Sequence, residues 1–170
     1  LDYYRNLSCK DDQVKLFKNL LQLAQKKGLP VIIHSRDAND DTISILKNLN
    51  DTSLKGVIHC FSGDLNFLNR CLEMGLYISF TCNVTFKNAS LLREVARFVP
   101  IEKLFLETDA PYLAPEAIRG KRNEPSYIHF VAQELASIKN ITFQEVANIT
   151  TQNAKRFFKL DENKNSISQV

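Results

Sequence analysis

A chain of 170 residues, 44% hydrophobic and 24% charged, has the composition of a globular domain able to bury a substantial core. Its 22 basic and 19 acidic residues leave a net charge of +3, too small an excess to imply nucleic acid without a clustered patch. No run approaches the ~20 apolar residues of a membrane span and no basic-then-apolar signal opens the chain, so a cytoplasmic protein with no membrane partner is expected.

In chain order, Val14, Phe17, Leu20, Leu21 and Ala24 share the apolar face of a first helix, capped at Asp11 or Asp12 and stopped by Gly28 and Pro30. A strand over Val31–His34 follows, then a short helix from about Thr42 to Asn48 carrying Ile43, Leu46 and Leu49. Gly56–Cys60 reads as the second strand. Leu65, Leu68, Cys71 and Leu72 form the next helical face, started by Asp64 and ended by Gly75. A third strand is predicted at Leu76–Phe80, a helix with Leu91, Leu92, Val95, Phe98 and Val99 up to Pro100, and a fourth strand at Leu104–Glu107. Beyond it the pattern is helical: Ile128, Val131, Ala132 and Leu135 share a face, Thr142-x-x-Glu145 has the form of a capping box, and Ala154, Phe157 and Phe158 suit a docking helix. Residues 1–160 read as one unit and residues 161–170 as a polar tail.

Short β-branched runs alternating with amphipathic helices argue for βα units and a parallel sheet. Four such units make an open four-stranded sheet or half of an eight-stranded barrel, which needs about 250 residues. The four cysteines (Cys9, Cys60, Cys71, Cys82) lack C-x-x-C spacing and read as reduced thiols. Cys60, if it lies in a strand, points away from the face of its neighbour His59 and belongs to the core.

Three strands end in a residue able to bind metal: His34, His59 and, after Leu104–Thr108, Asp109. The C-terminal ends of parallel strands are where barrel active sites assemble, and imidazole with carboxylate suits zinc, manganese or related ions. A lone histidine after an apolar run is more often a hydrogen-bonded core residue, so spacing alone leaves both readings open.

The local sequences are more specific. Leu29-Pro-Val-Ile-Ile-His-Ser-Arg-Asp-Ala38, Gly56-Val-Ile-His-Cys-Phe-Ser-Gly63 and Leu106-Glu-Thr-Asp-Ala-Pro-Tyr-Leu-Ala-Pro115 occur together with Val84-Thr-Phe-Lys-Asn88, Arg119-Gly-Lys-Arg-Asn-Glu-Pro125 and Ile149-Thr-Thr-x-Asn-Ala154. As an ordered set up to Leu160, they resemble the TatD family of metal-dependent hydrolases. The resemblance implies a TIM-like (β/α)8 barrel of the amidohydrolase type, represented by about its C-terminal half plus terminal helices. It implies two divalent metal ions (Mg, Mn or Zn), with His34 and His59 as ligands of one and Asp109 as ligand of the other. It also implies hydrolysis of DNA phosphodiesters, with DNA as substrate. Leu1-Asp-Tyr-Tyr-Arg5 resembles the end of a family run whose metal-bridging glutamate lies just upstream, and the family's His-x-His lies further upstream still. The chain is therefore expected to be part of a longer enzyme, doubtful in activity by itself and able to self-associate through exposed barrel edges.

Within that reading Asp109 is the candidate proton acceptor for the attacking water, besides binding metal. Arg36, two residues past His34, and Arg122, in the Arg119/Lys121/Arg122 loop, are candidate phosphate contacts. Glu107, on the same strand face as Asp109, is a candidate to orient a ligand from behind. Tyr112 and Tyr127 can stack on bases, but loop aromatics more often pack. His129 reads as structural, and Ser62 lacks a nucleophile elbow. The competing readings are a barrel hydrolase for another ester or amide, and a non-catalytic remnant that binds or assembles.

Overall fold

A computed structural model describes residues 1–5, 7–49 and 54–160. The 161–170 segment expected to form a polar tail lies outside the described residues.

Helix α1 spans Lys10–Lys27. Its cap is Cys9 rather than Asp11 or Asp12: the Cys9 backbone is extended and its sulfur accepts the Asp12 N–H, so the two aspartates occupy the first turn. There their charge faces the unpaired N–H groups at the positive end of the helix dipole. At the other end Gly28 adopts φ 63°. Gly28 N–H donates to Gln25 O and Leu29 N–H to Ala24 O, a Schellman closure that needs a left-handed residue. Phe17, Leu21 and Ala24 meet the core, whereas Leu20 is exposed with Leu16 and Leu23. The helix thus carries two apolar stripes about 100° apart, and only one is covered.

Four strands form one parallel sheet in the order β1 (Val31–His34), β2 (Gly56–His59), β3 (Tyr77–Phe80) and β4 (Leu104–Leu106). Three strands are a residue shorter than expected. Leu76 serves the turn after Gly75 by donating to Cys71 O, Cys60 turns out of β2 with φ 49°, and Glu107 follows β4 while still donating its N–H to Phe80 O. Between the strands lie α2 (Asn39–Asn48), α3 (Leu65–Glu73) and α4 (Ser90–Phe98). Helix α2 begins three residues before the expected Thr42. Thr42 is itself buried, its hydroxyl 3.0 Å from that of Ser35, which donates to Asn39. Asp64 caps α3 by accepting the Phe67 N–H at 2.8 Å. On α4, Val95 and Ala96 are buried and Leu92 packs on the core, but Leu91 and Phe98, expected on the same face, are exposed.

The register decides which side chains share a face. His34 pairs with His59 and Ile32 with Val57, while Ile33 pairs with Ile58. With side chains alternating along each strand, Ile33, Ile58, Ile78 and Leu104 point into the main core with α1–α4. Val57, His59, Tyr77, Ser79, Phe105 and Glu107 point to the opposite face. There Val57 and Phe105 pack with Phe157 of the last helix. That helix, α6 (Phe143–Phe158), follows α5 (Ile128–Lys139) and opens with a complete Thr142/Glu145 capping box. Buried Asn153 ties it to the sheet by donating to Ile101 O (2.8 Å) and Leu104 O (3.0 Å).

Phe157 lies edge-on to Tyr77, Phe105 and Phe158, with ring centroids 4.8–5.2 Å apart. Phe157→Ala is expected to cost about 3–5 kcal/mol in urea unfolding, and Phe157→Leu distinctly less, since the cavity left by truncation sets the penalty.

Candidate metal centre

The parallel register puts His34 and His59 side by side, their ring centroids 5.9 Å apart. Asp109 reaches the same place from the loop after β4, its Oδ1 3.7 Å from His59 Nε2. Asp109 has φ 55°, in the left-handed region where aspartate is among the few tolerated side chains. The three residues that end apolar runs in the sequence are therefore brought together at one end of the sheet.

Glu107 organises them. Its carboxylate receives a short hydrogen bond from His59 Nδ1, the Cys60 N–H at 2.7 Å and the Ser79 hydroxyl at 2.6 Å. Burial works against the ionised form, but these three donors together hold Glu107 below the usual carboxylate range. The same hydrogen bond raises His59 above its ordinary value, with burial opposing and the charges of Glu107 and Asp109 adding. Asp109 is pushed up chiefly by burial; His59 lowers it and Glu107 raises it.

With Nδ1 committed to Glu107, Nε2 is the imidazole atom that faces Asp109. A carboxylate behind a histidine is the arrangement that orients imidazole toward a metal. His59 Nε2 and Asp109 Oδ1 face each other across 3.7 Å, a nitrogen and an oxygen donor of the kinds that hold divalent ions. The donors present thus suit one side of a divalent-metal centre. They form an open arc: among the described residues, no three His, Cys, Asp or Glu side chains close into a metal-holding group.

Two neighbours escaped the sequence reading. Asp2 bridges in parallel to Arg36 beside the end of β1, with its Oδ2 3.3 Å from His34 Nε2. No periodicity marks it, because a single bridge leaves no pattern. Asn123, only 1% exposed, donates its side-chain amide to Thr108 O, Tyr112 O and Leu113 O at 2.6–3.3 Å, while its own N–H donates to Pro111 O. It thereby ties the loop carrying Asp109 to the Arg119–Arg122 loop. A buried asparagine beside Arg122 was the available signal, but its partners are distant in sequence.

Arg36 lies beside the site. Its guanidinium is 3.8 Å from the Tyr4 ring centroid, and its charge favours the ionised form of Cys60. Arg122 is exposed on the loop anchored by Asn123, and no hydrogen bond or ion pair joins it to His34, His59 or Asp109. Cys60 is corrected from a core strand residue to a half-buried loop residue at the site. Its thiol lies 3.5 Å from Thr81 Oγ1, and burial pushes it up to about 11. His129 hydrogen-bonds Ser126 O through Nδ1, and Tyr127 packs edge-on to Phe130. A cavity of about 400 Å³ adjoins the centre, lined by Ile32, Val57, Phe105, Ile128 and Phe143 together with His59 and Glu107.

Comparison with known proteins matches residues 1–159 to the family described as TatD related DNase. An uncharacterized metal-dependent hydrolase of Bacillus subtilis is 46% identical over 161 residues, covering 95% of this chain and 63% of that protein. The 3'-5' ssDNA/RNA exonuclease TatD of Salmonella typhimurium is 35% identical, over 94% of this chain and 64% of its own length. Among solved structures, a TatD-family hydrolase from Entamoeba histolytica aligns with a TM-score of 0.82 at 31% identity, over 93% of this chain and 60% of that one. A TatD homologue from Escherichia coli gives 0.80 at 31% identity, over 94% and 61%. The chain spans less than two thirds of the length of these relatives.

The His59–Glu107 contact has a pH signature in the metal-free protein. Glu107, depressed, contributes stability that is present above its ordinary value of 4.5 and is lost as pH falls through its folded value. His59, raised, contributes stability that is complete below 6.5 and is lost as pH rises through its folded value. The pair therefore contributes most between about 4.5 and 6.5. Urea unfolding across pH in EDTA is expected to show this maximum for the wild type and a flatter profile for Glu107→Gln.

Proposed function

The chain belongs to the TatD family, and from that premise we propose that His34, His59 and Asp109 serve a two-metal centre that hydrolyses phosphodiester bonds in DNA. The observation that carries this reading is His59, gripped at Nδ1 by Glu107 while Nε2 faces Asp109 across 3.7 Å. The similarity to a metal-dependent hydrolase and to an ssDNA/RNA exonuclease supports the reaction class and the nucleic-acid substrate respectively.

In this proposal His34 and His59 would hold one divalent ion and Asp109 the other; among Mg, Mn and Zn, imidazole nitrogen favours Zn and carboxylate oxygen suits Mg and Mn. Such ions, when bound, polarise a phosphoryl oxygen and strengthen water as a nucleophile. The chain's own residues do the rest. Glu107 keeps the His59 ring from turning, so its Nε2 stays directed at the centre. Asp109, besides being a residue that would hold metal, would accept the proton of the attacking water. Arg36 and Arg122 pair with phosphate oxygens: Arg36 is fixed by Tyr4, and Arg122 rides on the loop tied to that of Asp109.

No helix among the described residues is long and apolar enough to cross a membrane. Among the described residues no further strand pairs with the outer edge of β4, and β1 is flanked on its outer side by the Asp2–Arg36 bridge and the Leu1 N–H bond to His34 O. Self-association through these edges belongs to the same proposal, and sedimentation at rising concentration is expected to show it.

The test incubates the chain with end-labelled single- and double-stranded DNA and Mn²⁺ or Mg²⁺, beside EDTA and His59→Ala controls. Any cleavage is expected to be abolished by both controls, and cleavage that survives either overturns the metal-centre reading. Titration calorimetry is expected to show Mn²⁺ binding weakened about 10–100-fold by Glu107→Gln, the usual loss when a histidine's supporting carboxylate is removed.

A further inference from the structure

Five tyrosines occur in the chain, and three of them are engaged through a hydroxyl hydrogen bond or packing against another aromatic ring. Tyr3 donates its hydroxyl to Asp41 at 2.7 Å, Tyr77 stacks with Phe105 and Phe157, and Tyr127 packs against Phe130. The other two, Tyr4 and Tyr112, stand 63% and 67% exposed. Both are attached to acidic residues of the centre. Tyr4 N–H donates at 3.0 Å to Asp2 Oδ1, the carboxylate whose other oxygen meets His34. Tyr112 N–H donates at 2.9 Å to Asp109 O, and its own carbonyl is held by Asn123.

Neither ring sits on a free-swinging backbone. The segment bearing Tyr4 is paired to Arg36 through Arg36 N–H to Leu1 O and Tyr3 N–H to Arg36 O, both 3.0 Å. The Arg36 guanidinium lies on one face of the Tyr4 ring and leaves the rest open. Tyr112 is fixed through Asn123, which is itself buried. Strand order puts them at opposite ends of the sheet's active edge, Tyr4 beyond β1 and Tyr112 beyond β4. Two large rings kept bare on anchored backbone, on either side of a metal-ligating group, fit a ligand with flat apolar faces strung along a charged backbone. Every nucleobase offers such a face, and Arg36 beside Tyr4 supplies charge for the adjoining phosphate.

We propose that Tyr4 and Tyr112 are stacking platforms, each receiving one nucleobase of a single-stranded nucleic acid whose backbone crosses the His34–His59–Asp109 centre between them. The proposal rests on the nucleic-acid reading above and adds how the strand is held. A duplex keeps its bases stacked on each other, so the platforms favour single strands. Stacking requires the ring and not the hydroxyl, so base identity matters little.

The experiment titrates the full chain, in EDTA, with a short single-stranded oligonucleotide carrying 2-aminopurine and follows its fluorescence. Hydrolysis of the same oligonucleotide with Mn²⁺ is measured in parallel. Tyr4→Ala and Tyr112→Ala are each expected to weaken binding roughly 5- to 150-fold, whereas Tyr4→Phe and Tyr112→Phe bind like the wild type. Both side chains are exposed, so thermal melting should be unchanged. An oligonucleotide made abasic at the stacked position should bind wild type and the matching alanine variant equally. Alanine variants that bind like wild type, or phenylalanine variants as weak as alanine, overturn the platforms while Mn²⁺-dependent hydrolysis leaves the nuclease reading standing. No binding and no hydrolysis by any protein overturns both.

Discussion

The Glu107 carboxylate is the constraint on which the centre depends. It stands just past β4, mostly buried, and takes hydrogen bonds from His59 at the end of β2, from the Cys60 N–H beyond it, and from Ser79 on β3. A buried carboxylate without donors is costly enough to be driven from the fold or protonated. Here the donors come from β3 and from the end of β2 beyond it, and the three contacts are made together only in one register. A slip of one residue in either pairing would turn the donors to the other face and strand the charge. Sheet register and site geometry are thus one arrangement, secured by the same side chain.

Outside the sheet, precision passes to the loops. The chain leaves β2 at Cys60 and the β4 segment at Asp109 in the left-handed region, a conformation that a β-branched residue could adopt only with strain. These turns let His59 and Asp109 approach from strands that are not adjacent. Asn123 then gathers three carbonyls of the Asp109 loop, giving an otherwise irregular segment the hydrogen bonding that a helix or strand supplies automatically. The exposed rings of Tyr4 and Tyr112 and the guanidinium of Arg36 are carried on this rigid support.

Much of this was legible in the residues. Alternating apolar runs gave four parallel strands, because a strand buried on both faces, as β2 to β4 largely are, is written locally in its side chains; β1 leaves Ile32 exposed. Gly28, Gly75, Asp64 and the Thr142/Glu145 box marked helix ends through contacts spanning only a few positions. His34, His59 and Asp109 stood at the ends of apolar runs, and the two-residue step from Glu107 to Asp109 pointed Glu107 toward the same face. Where the reading missed, the deciding partner was remote or unexpected. Leu20, Leu91 and Phe98 are apolar yet exposed, since helical periodicity says which residues align but not how wide a stripe the neighbours cover. Cys9 took the cap expected of an aspartate, and Cys60 left its strand one residue early.

The sequence by itself determined the alternation of elements, most of the helix caps and the chemical identity of the candidate ligands, all set by interactions within a turn or a strand. Only the tertiary structure decided that Asp2 meets His34, that Glu107 grips His59 across 48 positions, and that Asn123 fastens the Asp109 loop. Those contacts depend on which strand lies beside which. That adjacency comes from packing the strands together over one shared core, and no local stretch of residues encodes it.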